Sequence, residues 1–139
     1  MITKMSHTTL FVQNQEKALE TYRDKLGFKV IMDVSMDNGF RWVTVQPPNQ
    51  PDVEIVLLEP KVGPMFDQDC ADAMMTLLDK AKMGAGVFDT ENCQATYEEL
   101  KSKGIEFVSP PTDRFYGIEA IFRDGCGNWF SLTQHKQES

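Results

Sequence analysis

Polar and apolar positions alternate along His7–Val12, with His7, Thr9 and Phe11 on one face of an extended segment and Thr8, Leu10 and Val12 on the other. The period then lengthens. Ala18, Leu19, Tyr22 and Leu26 recur at helical spacing behind Asn14, a good N-cap, and Gly27 closes the segment. GFRWVTVQ and DVEIVLLEP return to a strand pattern. The same order is repeated in AGVFDTENCQATYEELKSKGIEFVSPP, where Asn92 takes the cap position, Tyr97 and Leu100 lie in the helix and Gly104 closes it, followed by GIEAIFRD and NWFSLTQ. The two closing glycines are 104 − 27 = 77 positions apart. Between the halves, CADAMMTLLDKAK (Cys70–Lys82) predicts an additional helix. The pattern therefore predicts an α+β fold of two βαβββ modules with helices outside curved sheets. Module one covers about 3–60, a linking helix about 67–82 and module two about 83–135, in a single domain over 3–137.

Composition narrows the function classes. The chain has 139 residues, 41% hydrophobic and 25% charged, which is ordinary for a globular domain. Lys and Arg number 14 against 21 Asp and Glu, a net charge of −7 without a basic cluster. That argues against nucleic acid and anionic membrane as partners. No apolar run is long enough to span a bilayer and MITKMSHTTL has no signal-like hydrophobic stretch, so the expected location is cytoplasmic. Three scattered cysteines, Cys70, Cys93 and Cys126, form neither a CxxC nor a disulfide framework and read as reduced thiols. Cys126 is expected in a turn, with exposure open. There is no GxSxG, P-loop or HExxH, and MGAGVF lacks the third glycine and helix context of a dinucleotide site. Met74 and Met75 read as core filler or interface.

The halves resemble the paired modules of the vicinal oxygen chelate superfamily, which includes glyoxalase I, extradiol dioxygenases, fosfomycin-resistance proteins and bleomycin-binding proteins. The resemblance runs from about Met5 to Gln134 and rests on SHTTLFVQNQEKALETYRDKLGF, ATYEELKSKGIEFV with PPTDRFYG, and FRDGCGNWFSLTQ. The last is similar to the family's terminal strand, commonly Asp-Pro-x-Gly-Asn followed by two residues and Glu. Gly125 stands in the proline position and Ser131 in the glutamate position. The resemblance implies a cup in which strands of both modules offer His or Glu ligands to one divalent metal: Zn, Ni, Co, Mn or Fe. Carried over, it implies His7 and Glu54 as ligands, with Glu54 also the candidate catalytic base. It places Ala85, or Gly84 in another register, and Ser131 where two further ligands are expected. The repeat gives the same equivalence, since 131 − 54 = 77. His135 lies four positions beyond Ser131, about 13 Å along a strand, too far to serve the same metal.

Two protein ligands leave most coordination positions to water, whereas catalytic zinc normally keeps three. His7 and Glu54 are open to two readings: a metal-free polar pair, or two ligands of a functional metal centre. Without metal, a cup is still a small-molecule site, with Phe11, Trp42 and Trp129 as walls and Thr9, Thr44, Ser131 and Thr133 as hydrogen-bonding groups. Which face of 40–46 lines it is undecided from the segment alone. Phe115 and Tyr116 in DRFYG either close over the opening or anchor their loop. The expected function is small-molecule binding. The alternative is a divalent-metal-dependent lyase or dioxygenase acting on a small oxygenated substrate, and whether the chain is an enzyme is left open. The family also implies a homodimer.

Overall fold

A computed structural model describes residues 1–137. Its elements follow the order β1 (His7–Phe11), α1 (Gln15–Leu19), β2 (Lys29–Ser35), β3 (Arg41–Gln46), β4 (Glu54–Leu58), α2 (Gln68–Asp79), β5 (Met83–Asp89), α3 (Cys93–Ser102), β6 (Glu106–Arg114), β7 (Gly117–Arg123) and β8 (Asn128–His135). They form two four-stranded mixed sheets, ordered β1-β4-β3-β2 and β5-β8-β7-β6. The chain divides into two compact units, Met1–Thr76 and Leu77–Ser139. The boundary falls inside α2, the extra helix expected between the halves.

In the first unit, Asn14 caps α1 by accepting from the Lys17 amide. The helix does not run on in α geometry to Gly27. Glu20–Lys25 is π-helical, Leu26 is its C-cap, and Gly27 follows at φ +75°. This first-unit helix buries Ala18, Leu19 and Tyr22, and the alternate strand residues Leu10, Val43, Val45, Ile55 and Leu57 are buried with them. Arg41 links the helix to the sheet edge, its guanidinium bridging Asp33 on β2 (2.7 Å) and Glu16 on α1 (2.5 Å). The two carboxylates push the Arg41 pKa up, and the Arg41 hydrogen bond holds Asp33 below its ordinary value. Gln15 is a second tie: its buried amide donates to the carbonyls of Arg41 and Leu57, both at 2.9 Å.

In the second unit Asn92 caps α3 by accepting from the Ala95 amide. The helix packs on an aromatic cluster spread over the sheet. Tyr97 lies edge-on to Phe107 at 4.6 Å, and Phe122, Phe130 and Phe88 continue the contact at 5.7, 5.7 and 4.5 Å. Burial of these rings, of order 150–250 Å² each, is the main apolar contribution of the unit. The turn before β8 is built from DGCGN. Asp124 accepts from the Cys126 and Asn128 amides and from the Asn128 side chain, at 2.7, 3.0 and 2.9 Å. The turn faces inward, so Cys126 is fully buried. Gly127 takes φ +105°, and a Cβ there would lie 2.6 Å from the Leu78 backbone.

Candidate functional site

In each sheet the face turned away from the helix carries the polar and aromatic residues of interest. Strand register decides this. In the first unit His7 pairs with Glu54, Thr9 with Val56 and Phe11 with Leu58, while Thr44 stands opposite Val56. Trp42 and Thr44 therefore share a face with His7, Thr9, Phe11 and Glu54, the point that the strand alone left undecided. His7 Nε2 lies 3.3 Å from Glu54 Oε2, with the side chains 39% and 24% exposed. Thr44 Oγ1 donates to Glu54 Oε1 at 2.8 Å and accepts from the Met32 amide at 3.2 Å. The other imidazole nitrogen, Nδ1, is 2.8 Å from the Ser6 hydroxyl. The imidazole lies 6.1 Å from Trp42, and Phe11 is covered by Phe66 at 5.3 Å. Glu54 is thus a half-buried carboxylate satisfied by a hydroxyl and an imidazole.

The second unit repeats this arrangement with the chemistry exchanged. Trp129, Ser131 and Thr133 on β8 share a face with Glu119, Ile121 and Arg123 on β7. Ser131 Oγ donates to Glu119 Oε2 at 2.5 Å and lies 2.7 Å from Thr133 Oγ1. Tyr116 donates its phenol to Glu119 Oε1 at 2.6 Å, and Arg114 Nε stands 4.0 Å from the same oxygen. These donors, Ser131 first and Tyr116 second, hold the Glu119 carboxyl below its usual range, and the carboxylate in turn raises the Tyr116 phenol. Phe115 is exposed and stacks edge-on to Tyr116 at 5.0 Å, so its aromatic contact stays within its own loop. The Trp129 ring lies over Gly84, where a Cβ would come within 2.6 Å of it.

The pairing of β5 is irregular. Val87 is the partner of Ser131, and β5 shifts register between Gly84 and Gly86, which leaves Ala85 out of the ladder. Two residues beyond Ser131, Thr133 pairs with Glu119, and two residues beyond Glu54, Val56 pairs with Thr44. Glu119 was missed by sequence reading. His135, at 2.8 Å from Asp89, is exposed at the strand end. The second unit also has two open clefts of about 410 and 520 Å³. Glu91, Asp113, Ile118 and Gln134 are common to both, and none of the expected pocket residues lines either.

Two sheets with this order, each a βαβββ unit carrying its polar residues on the face opposite the helix, decide the comparison with known proteins. Residues 4–132 match the model of the Glyoxalase/Bleomycin resistance protein/Dioxygenase superfamily. The chain belongs to this superfamily. Protein YurT of Bacillus subtilis (strain 168) is 36% identical over 131 residues, covering 94% of this chain and 98% of its own. The crystal structure of UcmS2 superposes with TM-score 0.88 at 41% identity, covering 96% of this chain and 99% of that one. TnmS3, an antibiotic binding protein from Streptomyces sp. CB03234, shares the superfamily fold with TM-score 0.74 at 24% identity, over 97% and 98% of the two chains.

The superfamily's metal chemistry can be tested against the donor set. Among the described residues, no three or more His, Cys, Asp or Glu side chains come together to hold a metal ion. His7 and Glu54 make a two-donor pair, and the Ser131 position offers a neutral hydroxyl already donating to Glu119. This set does not fit a three-ligand catalytic centre. No helix of the described residues is long and apolar enough to cross a membrane.

Proposed function

We propose that the chain is a small-molecule-binding member of the superfamily that holds an apolar or aromatic ligand without a metal centre, as a cytoplasmic homodimer. One observation carries the reading: the superfamily's terminal glutamate is replaced by Ser131, whose hydroxyl is committed to Glu119 and Thr133. An aromatic residue accompanies the hydrogen-bonding groups on each polar sheet face, Trp42 beside Thr44 and His7, and Trp129 beside Ser131 and Thr133. Such a mixture of apolar surface and a few fixed polar groups suits small-molecule recognition. TnmS3, described as antibiotic-binding, shows that the fold accommodates this role. The expected ligand is small and organic, with no part for nucleic acid or membrane.

Calorimetry on chelator-treated protein with Zn, Ni, Co, Mn and Fe(II) tests the metal-free part, with Glu54→Ala as control. The expected result is no stoichiometric binding above that of the variant. Quenching of Trp42 and Trp129 fluorescence by naphthalene-based probes tests the binding part, and absence of any saturable quenching counts against it.

A second reading, a metal-dependent lyase or dioxygenase with Glu54 as ligand or base, is favoured by the 3.3 Å approach of His7 Nε2 to Glu54 Oε2. It predicts stoichiometric metal binding and turnover, both lost in Glu54→Ala.

A further inference from the structure

The two units place a hydroxyl and a carboxylate at the same pair of strand positions, but in opposite order. In the first unit the inner-strand hydroxyl Thr44 serves the carboxylate of Glu54. In the second, the hydroxyl of Ser131 stands at the Glu54 position and serves Glu119, which stands at the Thr44 position. The equivalence follows from register, because Thr44 is opposite Val56 and Glu119 is opposite Thr133, each two residues beyond the exchanged site. The second unit has therefore not lost a carboxylate from this face. It carries one on the neighbouring strand, supported from both sides.

We infer that Glu119, framed by Ser131 and Tyr116, is a specificity-determining residue that receives an N–H or O–H donor group of the ligand, most strongly a protonated amine. This inference rests on the small-molecule reading above. The direction of the existing hydrogen bonds gives the chemistry. Ser131 and Tyr116 both spend their hydrogens on Glu119, so the cluster turns acceptor lone pairs outward: those left on the two carboxylate oxygens and those on the phenol oxygen. A carboxylate accepts about four hydrogen bonds, and each Glu119 oxygen has accepted one from a neutral donor. The Glu119 side chain is 16% exposed, so it is held in place yet reachable. Arg114 makes only a long ion pair with Glu119, at 4.0 Å and with its side chain 48% exposed, so a ligand ammonium at hydrogen-bonding distance would outcompete it for the carboxylate. An anionic group at this position would meet the carboxylate and the Ser131 and Tyr116 oxygens, whose hydrogens are already donated to Glu119.

The test uses three naphthalene probes of one shape: 1-naphthylmethylamine, 1-naphthylmethanol and 1-naphthoate. Binding to the full chain is followed by tryptophan quenching and calorimetry. The expected order is amine, then alcohol, then carboxylate. Glu119→Gln should reduce the amine preference over the carboxylate about tenfold, the loss of one charge-assisted hydrogen bond. Glu98→Gln, an exposed carboxylate on α3, controls for net charge and should keep the preference. The carboxyl carbon resonance of Glu119, identified by its loss in Glu119→Gln, should move on adding the amine. Equal binding of amine and carboxylate by the native chain overturns the inference while the small-molecule reading stands, and this holds whether or not the variant folds. An unchanged preference in folded Glu119→Gln does the same. Failure of all three probes to bind overturns the small-molecule reading for aromatic ligands and this inference with it.

Discussion

At the scale of single residues, the Glu119 cluster makes a prediction about acid stability. An ordinary glutamate titrates near about 4.3, and the Ser131 and Tyr116 hydrogen bonds hold Glu119 below its ordinary value in the folded chain. Above the unfolded pKa neither state binds the proton, so the stabilisation from the depressed carboxyl is fully present. As pH falls from there through the folded pKa, the unfolded state binds more protons and the contribution is lost. Urea midpoints of the native chain and Glu119→Gln should therefore differ most above the ordinary glutamate range and converge as pH falls below it, through the depressed folded pKa. Asp33 and Asp24, also held low by arginine partners, affect both proteins alike and cancel in the difference. A pH-independent gap would show that the carboxylate's charge contributes nothing to the fold.

At the scale of elements, the strand–helix ties and the glycine positions carry the testable load. Gln15→Ala removes both donors that link α1 to the Arg41 and Leu57 carbonyls, and should cost about 1–3 kcal/mol in chemical denaturation. Gly117 has φ +149°, and a Cβ there would sit 2.1 Å from the Gln134 carbonyl oxygen. Gly27 has φ +75° with open space around the site. Gly27→Ala should thus cost about 1 kcal/mol, for backbone conformation alone. Gly117→Ala should cost clearly more, above about 2 kcal/mol, because β7 and β8 must also move apart. Equal losses would mean that the strand pair yields easily. These elements were legible in the sequence because local rules agree on them: alternation along β1, β3, β4 and β8, asparagine caps at Asn14 and Asn92, and glycines after both helices. What was not legible depends on departures from period. The register shift beside Ala85 breaks the ladder count of β5, and nothing in the alternation of MGAGVFD signals it. The π-helical run from Glu20 to Lys25 has no distinct composition. Glu119 was hidden for a related reason. Thr44 and Glu54 are ten residues apart but Glu119 and Ser131 are twelve, so the 77-residue offset that finds Ser131 points from Glu119 to Trp42. A longer hairpin with unchanged pairing defeats a fixed offset, though the alternation of GIEAIFRD already put Glu119 and Ile121 on one face.

At the scale of the whole molecule, burial and charge oppose one another. The first unit exposes Ile31, Met32, Val34, Met36 and Phe40 on and beside its edge strand β2, and the second exposes Val87, Val108 and Trp129. Side chains of this kind gain roughly 25 cal/mol per Å² when covered, which supports the proposed homodimer. Against this, each chain carries a net charge of −7, so pairing two copies brings together −14 at neutral pH. Apolar burial is little affected by moderate salt, whereas repulsion beyond the Debye length, about 10 Å at 0.1 M and 3 Å at 1 M, is screened. Self-association should therefore strengthen with added sodium chloride, the reverse of an interface held by opposite charges. Sedimentation velocity across a concentration series should give a species of twice 15.8 kDa, with the dissociation constant falling between 0.05 and about 0.5 M salt. Charge placed among the exposed apolar residues, as in Met32→Lys with Val34→Lys, should shift the population towards monomer if β2 takes part in the contact. A chain that stays at 15.8 kDa at every concentration and salt would show that these apolar side chains are not a self-association surface, and would confine the proposed ligand binding to a single chain.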